Sequence, residues 1–306
     1  MQYLFPRRSL GTFAVLIAML ATTSVVCGNM NENALTETNF TENSIQNDET
    51  QLITGQAIDR ELKAGETHDY RIPLKTGEYL QVLIAELNID VRYTLYEPHG
   101  KAIRTINWET QDSPESLWFG ANESGDYRLA ITGMTVTGAN AHYITTLVKV
   151  GELKTAPPDD QNYVRAYQLF FQAKEFANGK DNASLRKTAD TYEQTLPLWR
   201  AVKDRIGEGH ALNELGMALA GLGEPDKSRE SLKQAIEIWR STKNHQRDEA
   251  NVLHNLAVLG MSQGRQTEAM EALTRERELR RLLGDSKGQA LALSNMGSVY
   301  YQRADF

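Results

Sequence analysis

The sequence predicts a multidomain α+β protein, an antiparallel β-sandwich followed by an α-solenoid of helical hairpins. Three observations predict it. Apolar and polar residues alternate with period two between residues 52 and 150. From residue 163 the apolar period becomes helical, and within that second region the chain repeats itself every 40 residues, as stacked hairpins do. A length of 306 residues leaves room for two cores. Charge divides the same way: residues 30–160 hold 10 Lys/Arg against 21 Asp/Glu, and residues 161–306 hold 21 against 19. With a net charge of -7 the chain has no phosphate-tracking surplus, and no nucleic-acid partner is expected.

Residues 1–28 have the layout of a secretory signal: Arg7 and Arg8, an apolar core from Phe13 to Ala21, then small or polar residues. That core is too short to span a bilayer, so an extracytoplasmic chain is expected, secreted or periplasmic. Cys27, the single cysteine, stands where the signal ends. Its setting resembles a bacterial lipoprotein box, although Val26 replaces the small residue such a box wants. Cys27 is therefore a lipidation candidate and a route to outer-membrane attachment, against an ordinary cleaved signal. Residues 29–51 are rich in Asn, Thr and Glu without Lys or Arg, and are expected to be a disordered polar tether.

The β-sandwich is expected over residues 52–152. Leu80, Val82 and Ile84 lie on one face of a strand, Val91, Tyr93 and Leu95 on another, and Tyr127, Leu129 and Ile131 on a third. Breaks at Ala64-Gly65, Thr76-Gly77, Pro98-His99-Gly100 and Ser124-Gly125 separate about eight short strands, which two facing sheets would bury economically. Tyr70, Gly77, Asp90, Pro98-x-Gly100 and Gly125-Asp126-Tyr127 together resemble the pre-peptidase C-terminal type of jelly-roll domain. Asp90, Asp112 and Asp126 lack the spacing of a calcium loop and read better as turn caps.

Residues 153–162, with Pro157-Pro158, are expected to be a linker, and residues 163–306 the solenoid. Trp199-Arg200 recurs as Trp239-Arg240, and Leu215-Gly216 recurs as Leu256-Ala257 and Met296-Gly297. A large residue beside a minimal one lets a partner helix approach closely. Second helices supply Leu232, Ala235 and Ile236, then Ala269 and Leu273, at three- and four-residue spacing. This pattern resembles the tetratricopeptide repeat, in the long variety typified by kinesin light chains. Glu276 departs from it, standing where Ala235 shows the usual small residue. Val164–Phe176 with Ser184–Trp199 reads as a degenerate first repeat. The third repeat reaches Phe306 after one helix, so a C-terminal truncation is expected. The order of parts resembles the front half of bacterial proteins ending in a CHAT domain, a caspase-like module with a His-Cys dyad, and nothing in this chain matches that module.

Catalytic signatures are missing: there is no G-x-S-x-G, no phosphate-cradling loop and no H-E-x-x-H, and the six His are scattered without i,i+4 pairs. Neither an enzyme nor a cofactor is expected. First helices of such arrays line a concave groove, so the expected partner is a protein or peptide. Asn255 and Asn295 precede the Leu-Ala and Met-Gly pairs, where Glu214 stands in the preceding repeat. The resemblance implies that this position presents an amide to an extended peptide backbone. Asn213, Asn251, His254 and Tyr301 are the neighbouring groove candidates. The same groups could instead join adjacent helices. The alternative function is the sensor or regulatory part of a CHAT peptidase.

Overall fold

The computed structural model describes residues 50–106, 115–136, 138–179, 181–242 and 244–303. Cys27, the signal-like residues 1–28, Asp112 and the last three residues lie outside them. Nine strands come first: β1 Thr50–Gln51, β2 Ala57–Glu61, β3 Thr67–Leu74, β4 Glu78–Leu87, β5 Ile89–Tyr96, β6 Ala102–Ile106, β7 Glu115–Gly120, β8 Gly125–Val136 and β9 His142–Glu152. They form a five-stranded sheet in the order β1-β3-β8-β5-β6 and a four-stranded sheet in the order β2-β9-β4-β7. Every pairing is antiparallel except β1 with β3. The alternating residues named from the sequence are the buried ones: Leu80, Val82 and Ile84 face Val91, Tyr93, Leu95, Leu129 and Ile131 across the sandwich.

Thr50 and Gln51, expected in a disordered tether, pair in register with Tyr70 and Arg71. Side chains hold them: Arg60 donates to the Thr50 hydroxyl at 2.9 Å and Arg71 to the Gln51 amide oxygen at 2.8 Å. Two polar residues give no period to read, and only a sheet edge supplied from elsewhere makes a strand of them.

A half-buried carboxyl gives the sandwich a pH dependence. Glu86 accepts the Val91 N–H at 3.1 Å, yet burial, with the Glu115 charge nearby, pushes its pKa up to about 9. The folded chain thus holds a proton that the unfolded chain releases near the ordinary carboxylate range. Stability therefore falls as pH rises from about 4.5 to about 9. Glu86→Gln, which mimics the protonated form, is expected to raise the melting temperature by roughly 3–6 °C at pH 8 and to leave it unchanged at pH 4. Calorimetry at the two pH values checks this; an equal rise at both would place the effect elsewhere.

Seven helices follow: α1 Pro158–Phe176, α2 Asn182–Ala201, α3 Arg205–Gly221, α4 Pro225–Ser241, α5 Gln246–Ser262, α6 Gln266–Leu282 and α7 Ser286–Arg303. Their starts follow from local chemistry. Pro158 and Pro225 take first-turn positions, where a missing N–H costs nothing. Asp181 and Asp204 cap α2 and α3, accepting the Ser184 and Gly207 N–H groups at 2.9 and 2.8 Å. Gly223 and Gly264 take positive φ just past α3 and α5, ending the first helix of each hairpin so that the second can fold back. The hairpins α1–α2, α3–α4 and α5–α6 pack in sequence, with α7 against α6.

The 40-residue recurrence of Trp-Arg has two physical uses. Both indoles are wedges, 1% and 2% exposed. Trp199 packs edge-on to Tyr167 of α1 at 5.2 Å and lies against Gly207 of α3; Trp239 lies against Gly209 and edge-on to His210 of α3 at 4.9 Å. The adjoining arginines pair with carboxylates on the following first helix, Arg200 with Glu208 at 2.7 Å and Arg240 with Glu249 at 2.9 Å. Trp199 thus joins successive hairpins through the core, Trp239 closes its own hairpin and reaches His245 before α5, and the neighbouring arginines tie successive hairpins at the rim. Gly216 likewise gives the close approach expected of it, since a Cβ there would stand 2.8 Å from Leu232.

The expected linker is instead structured and anchored to the sandwich, with Ala156 and Asp160 buried. Residues 153–155 form a 3-10 turn and α1 starts at Pro158. Asp160 is buried, accepts the Tyr79 hydroxyl at 2.6 Å and pairs with Lys149 of β9 at 2.8 Å. Trp118 of β7 stacks on Tyr163 of α1, ring centres 4.7 Å apart and planes 2° apart. Arg104 of β6, buried with its pKa pushed down to about 10 by desolvation, sits between the rings of Phe119 and Phe171 and donates to the Trp118 carbonyl. One continuous apolar cluster runs from Leu52 of the sandwich to Leu219 of α3. Pro157-Pro158, both exposed, mark the turn into α1, and nothing in a prolyl pair foretells that the residues beside it will pack on a sheet.

Candidate peptide-binding cleft

A cleft of about 340 Å³ opens along the first helices α1, α3 and α5. Its lining includes Lys174 from α1, Asn213 and Glu214 from α3, and Arg247 and Asn251 from α5, with Trp239 at its floor and Arg280 of α6 at one side. These residues are spread from position 174 to position 280 and meet because the hairpins stack in register.

The polar groups are held by one another. The Asn255 side-chain amide donates to Oδ1 of Asn213 at 2.9 Å, a bond between α5 and α3. Asn213 in turn lies 3.4 Å from the Glu214 carboxylate. Arg280 donates to the Asn251 oxygen at 2.7 Å and pairs with Asp285 at 3.1 Å. His245, almost fully buried, meets Asp248 at 2.9 Å and packs on Trp239 at 5.1 Å. Burial raises the pKa of Glu214, with Lys174 opposing, and burial holds the His210 imidazole below its ordinary value, with Asp248 opposing. Fixed amides beside charged groups from separate helices can meet both the N–H and the C=O of an extended chain.

Of the six groove candidates, Asn213 and Asn251 line this cleft. Asn255 stands behind Asn213 as its hydrogen-bond donor, the helix-joining role foreseen as the other reading of these amides. His254 turns toward α6, where its Nδ1 lies 3.3 Å from Glu276. Asn295 and Tyr301 are on α7, away from the cleft lining, and Tyr301 is 72% exposed. The departure at Glu276 has a cause: its carboxylate is fully buried, with His254 on one side and the Arg280 Nε at 3.7 Å on the other. Lys174, His210, Arg247 and Asp248 escaped sequence reasoning, because none recurs at 40 residues; Arg280 continues the Arg200 and Arg240 series, and its place beside the cleft was missed. Among the described residues no group of three His, Cys, Asp or Glu is placed to hold a metal ion, and no helix is long and apolar enough to cross a membrane.

Residues 209–242, spanning most of α3 and all of α4, match the tetratricopeptide repeat family. No curated protein sequence matches the chain. Among solved structures, BtubC (BKLC) from P. vanneervenii is 21% identical with a TM-score of 0.44, over 51% of this chain and 61% of that one. The TPR-like repeats of a kinesin light chain from Podosopora anserina are 17% identical with a TM-score of 0.40, over 44% of this chain and 66% of theirs. The pre-peptidase C-terminal domain of collagenase from Bacillus anthracis is 14% identical with a TM-score of 0.28, over 34% of this chain and 99% of that domain. The chain thus spans less than two thirds of the first two neighbours. The α3–α4 hairpin thus matches the tetratricopeptide repeat model, within a run of helical hairpins that follows a β-sandwich.

Proposed function

We propose that this chain is a non-catalytic, extracytoplasmic scaffold that holds an extended peptide or a partner protein in the cleft along α1, α3 and α5. One observation carries the reading: Asn213 and Asn251, on successive first helices, open into one cleft whose side chains come from five helices. Amides held this way, by Asn255 and Arg280, are pre-oriented, which lowers the entropy cost of gripping a backbone. The signal-like residues 1–28 support export, and Cys27 supports a lipid anchor. The CHAT-sensor alternative has only the order of parts behind it.

Photo-crosslinking tests the cleft. A benzoylphenylalanine at position 174, at the cleft, is expected to capture a partner in the cell envelope, whereas one at the exposed position 277 on α6 is not. Adding Asn213→Ala with Asn251→Ala should cut capture at position 174 roughly tenfold, as loss of one to two hydrogen bonds predicts. Equal capture from both positions, or capture indifferent to the two alanines, would discard the cleft.

A further inference from the structure

The outer face of the five-stranded sheet holds a second recess, independent of the cleft. It is a trough of about 750 Å³ centred on β8 and β5. In-register pairing sets its rungs. Thr67, Thr132 and Arg92 form one rung, Asp69, Ala130, Thr94 and Thr105 the next, and Arg71, Arg128 and Tyr96 the third. Small residues make the floor: Ala130 lies between Thr132 and Arg128 on β8, and Gly133 and Gly65 lie alongside. Over this floor the hydroxyls come in cross-strand pairs, Thr67 with Thr132 at 2.9 Å and Thr94 with Thr105 at 3.1 Å.

The charge is one-sided. The lining contains Arg92 and Arg128 and no carboxylate, on a region where acidic residues outnumber basic ones about two to one. Arg128 is fixed, stacked 3.8 Å over Tyr96 and paired at 2.6 Å with Asp69, the carboxylate that flanks Ala130 on the same face, so Arg92 is the cation left to a ligand. Arg92 is exposed and makes no ion pair among the described residues. A guanidinium fork flanking paired hydroxyls suits a ligand with carboxylates and many hydroxyls of its own. A peptide strand is less suited: β8 and β5 are interior strands with no free backbone edge, and the floor offers no apolar socket for a side chain. A nucleic acid would meet only two cations on an otherwise acidic domain.

We propose that this trough is a binding site for a carboxylate-bearing glycan. Arg92 would engage the carboxylate and the threonine pairs the sugar hydroxyls. The probe is polygalacturonate in affinity electrophoresis of the full chain, with neutral dextran, polyglutamate and single-stranded DNA as comparison matrices. Retardation is expected with polygalacturonate alone, weakening as salt screens the charges. Arg92→Ala, a solvent-facing change, should reduce it roughly tenfold, and Ala130→Leu, which fills the trough without entering the sandwich core, should abolish it with far-ultraviolet circular dichroism unchanged. No retardation by polygalacturonate overturns the proposal. So does retention of binding in folded Ala130→Leu, or equal retardation by dextran, polyglutamate or DNA.

Discussion

A chain carrying Gly207→Ala with Gly209→Ala is expected to unfold about 5–10 °C below the parent, whereas Gly297→Ala is expected to unfold slightly above it. All three glycines lie inside helices, where alanine is ordinarily better by about 1 kcal/mol. What differs is the space. A Cβ at Gly207 would stand 2.6 Å from the Trp199 ring and one at Gly209 2.6 Å from the Trp239 ring, whereas one at Gly297 meets nothing within 4 Å. Neither indole can retreat: Trp199 is backed by Tyr163 and Tyr167, and Trp239 lies between His210 and His245. Overpacking a fixed core costs about 1–3 kcal/mol per site, which outweighs the gain in helix propensity. For a body of this size each kcal/mol moves the midpoint by about 2–4 °C. Calorimetry checks the sign as well as the size. A double variant as stable as Gly297→Ala would show that α3 is not clamped between the two tryptophans.

Trp118→Ala is expected to split one unfolding transition into two. In the parent, the sandwich and the first hairpin share an apolar cluster, so neither can expose its surface without the other. Trp118 is the hinge of that sharing. Its ring lies parallel to Tyr79 on the sandwich side and stacks on Tyr163 on the helical side, with the Lys149 ammonium 5.3 Å from its centre. Truncating a buried tryptophan costs about 3–5 kcal/mol, and here the loss falls on the junction. Asp160→Asn, which weakens the Lys149 pair while keeping an acceptor for Tyr79, should narrow the coupling without splitting it. Two calorimetric peaks for Trp118→Ala are the expected result; a single peak shifted downward would mean that the two parts remain joined by the other contacts of α1.

Local periodicity made much of the architecture legible. Alternation picked out Leu80, Val82 and Ile84 as core residues because successive strand side chains point to opposite faces. The 40-residue shift picked out Trp199 and Trp239 as wedges, because a stacked repeat must present the same packing residue at the same place. The departure at Glu276 was equally visible, but its reason was not: His254 and Arg280 approach it from α5 and from the next turn of α6, and no spacing rule links all three. The cleft was half legible. Asn213 and Asn251 could be named from their positions on first helices, while Lys174 and Arg247, which no repeat marks, could not.

The sequence by itself determined the order of the two architectures, the hairpin period, and which residues are large, small or apolar at each contact, since these depend on geometry repeated within a few residues. Only the tertiary structure decided that β1 joins a sheet, that Asp160 and Tyr163 at the start of α1 pack on the sandwich, and that Asn255 braces Asn213. Those outcomes depend on surfaces brought together from tens of residues away. A side chain's chemistry is written at its own position, but the partner it meets is set by how whole elements pack.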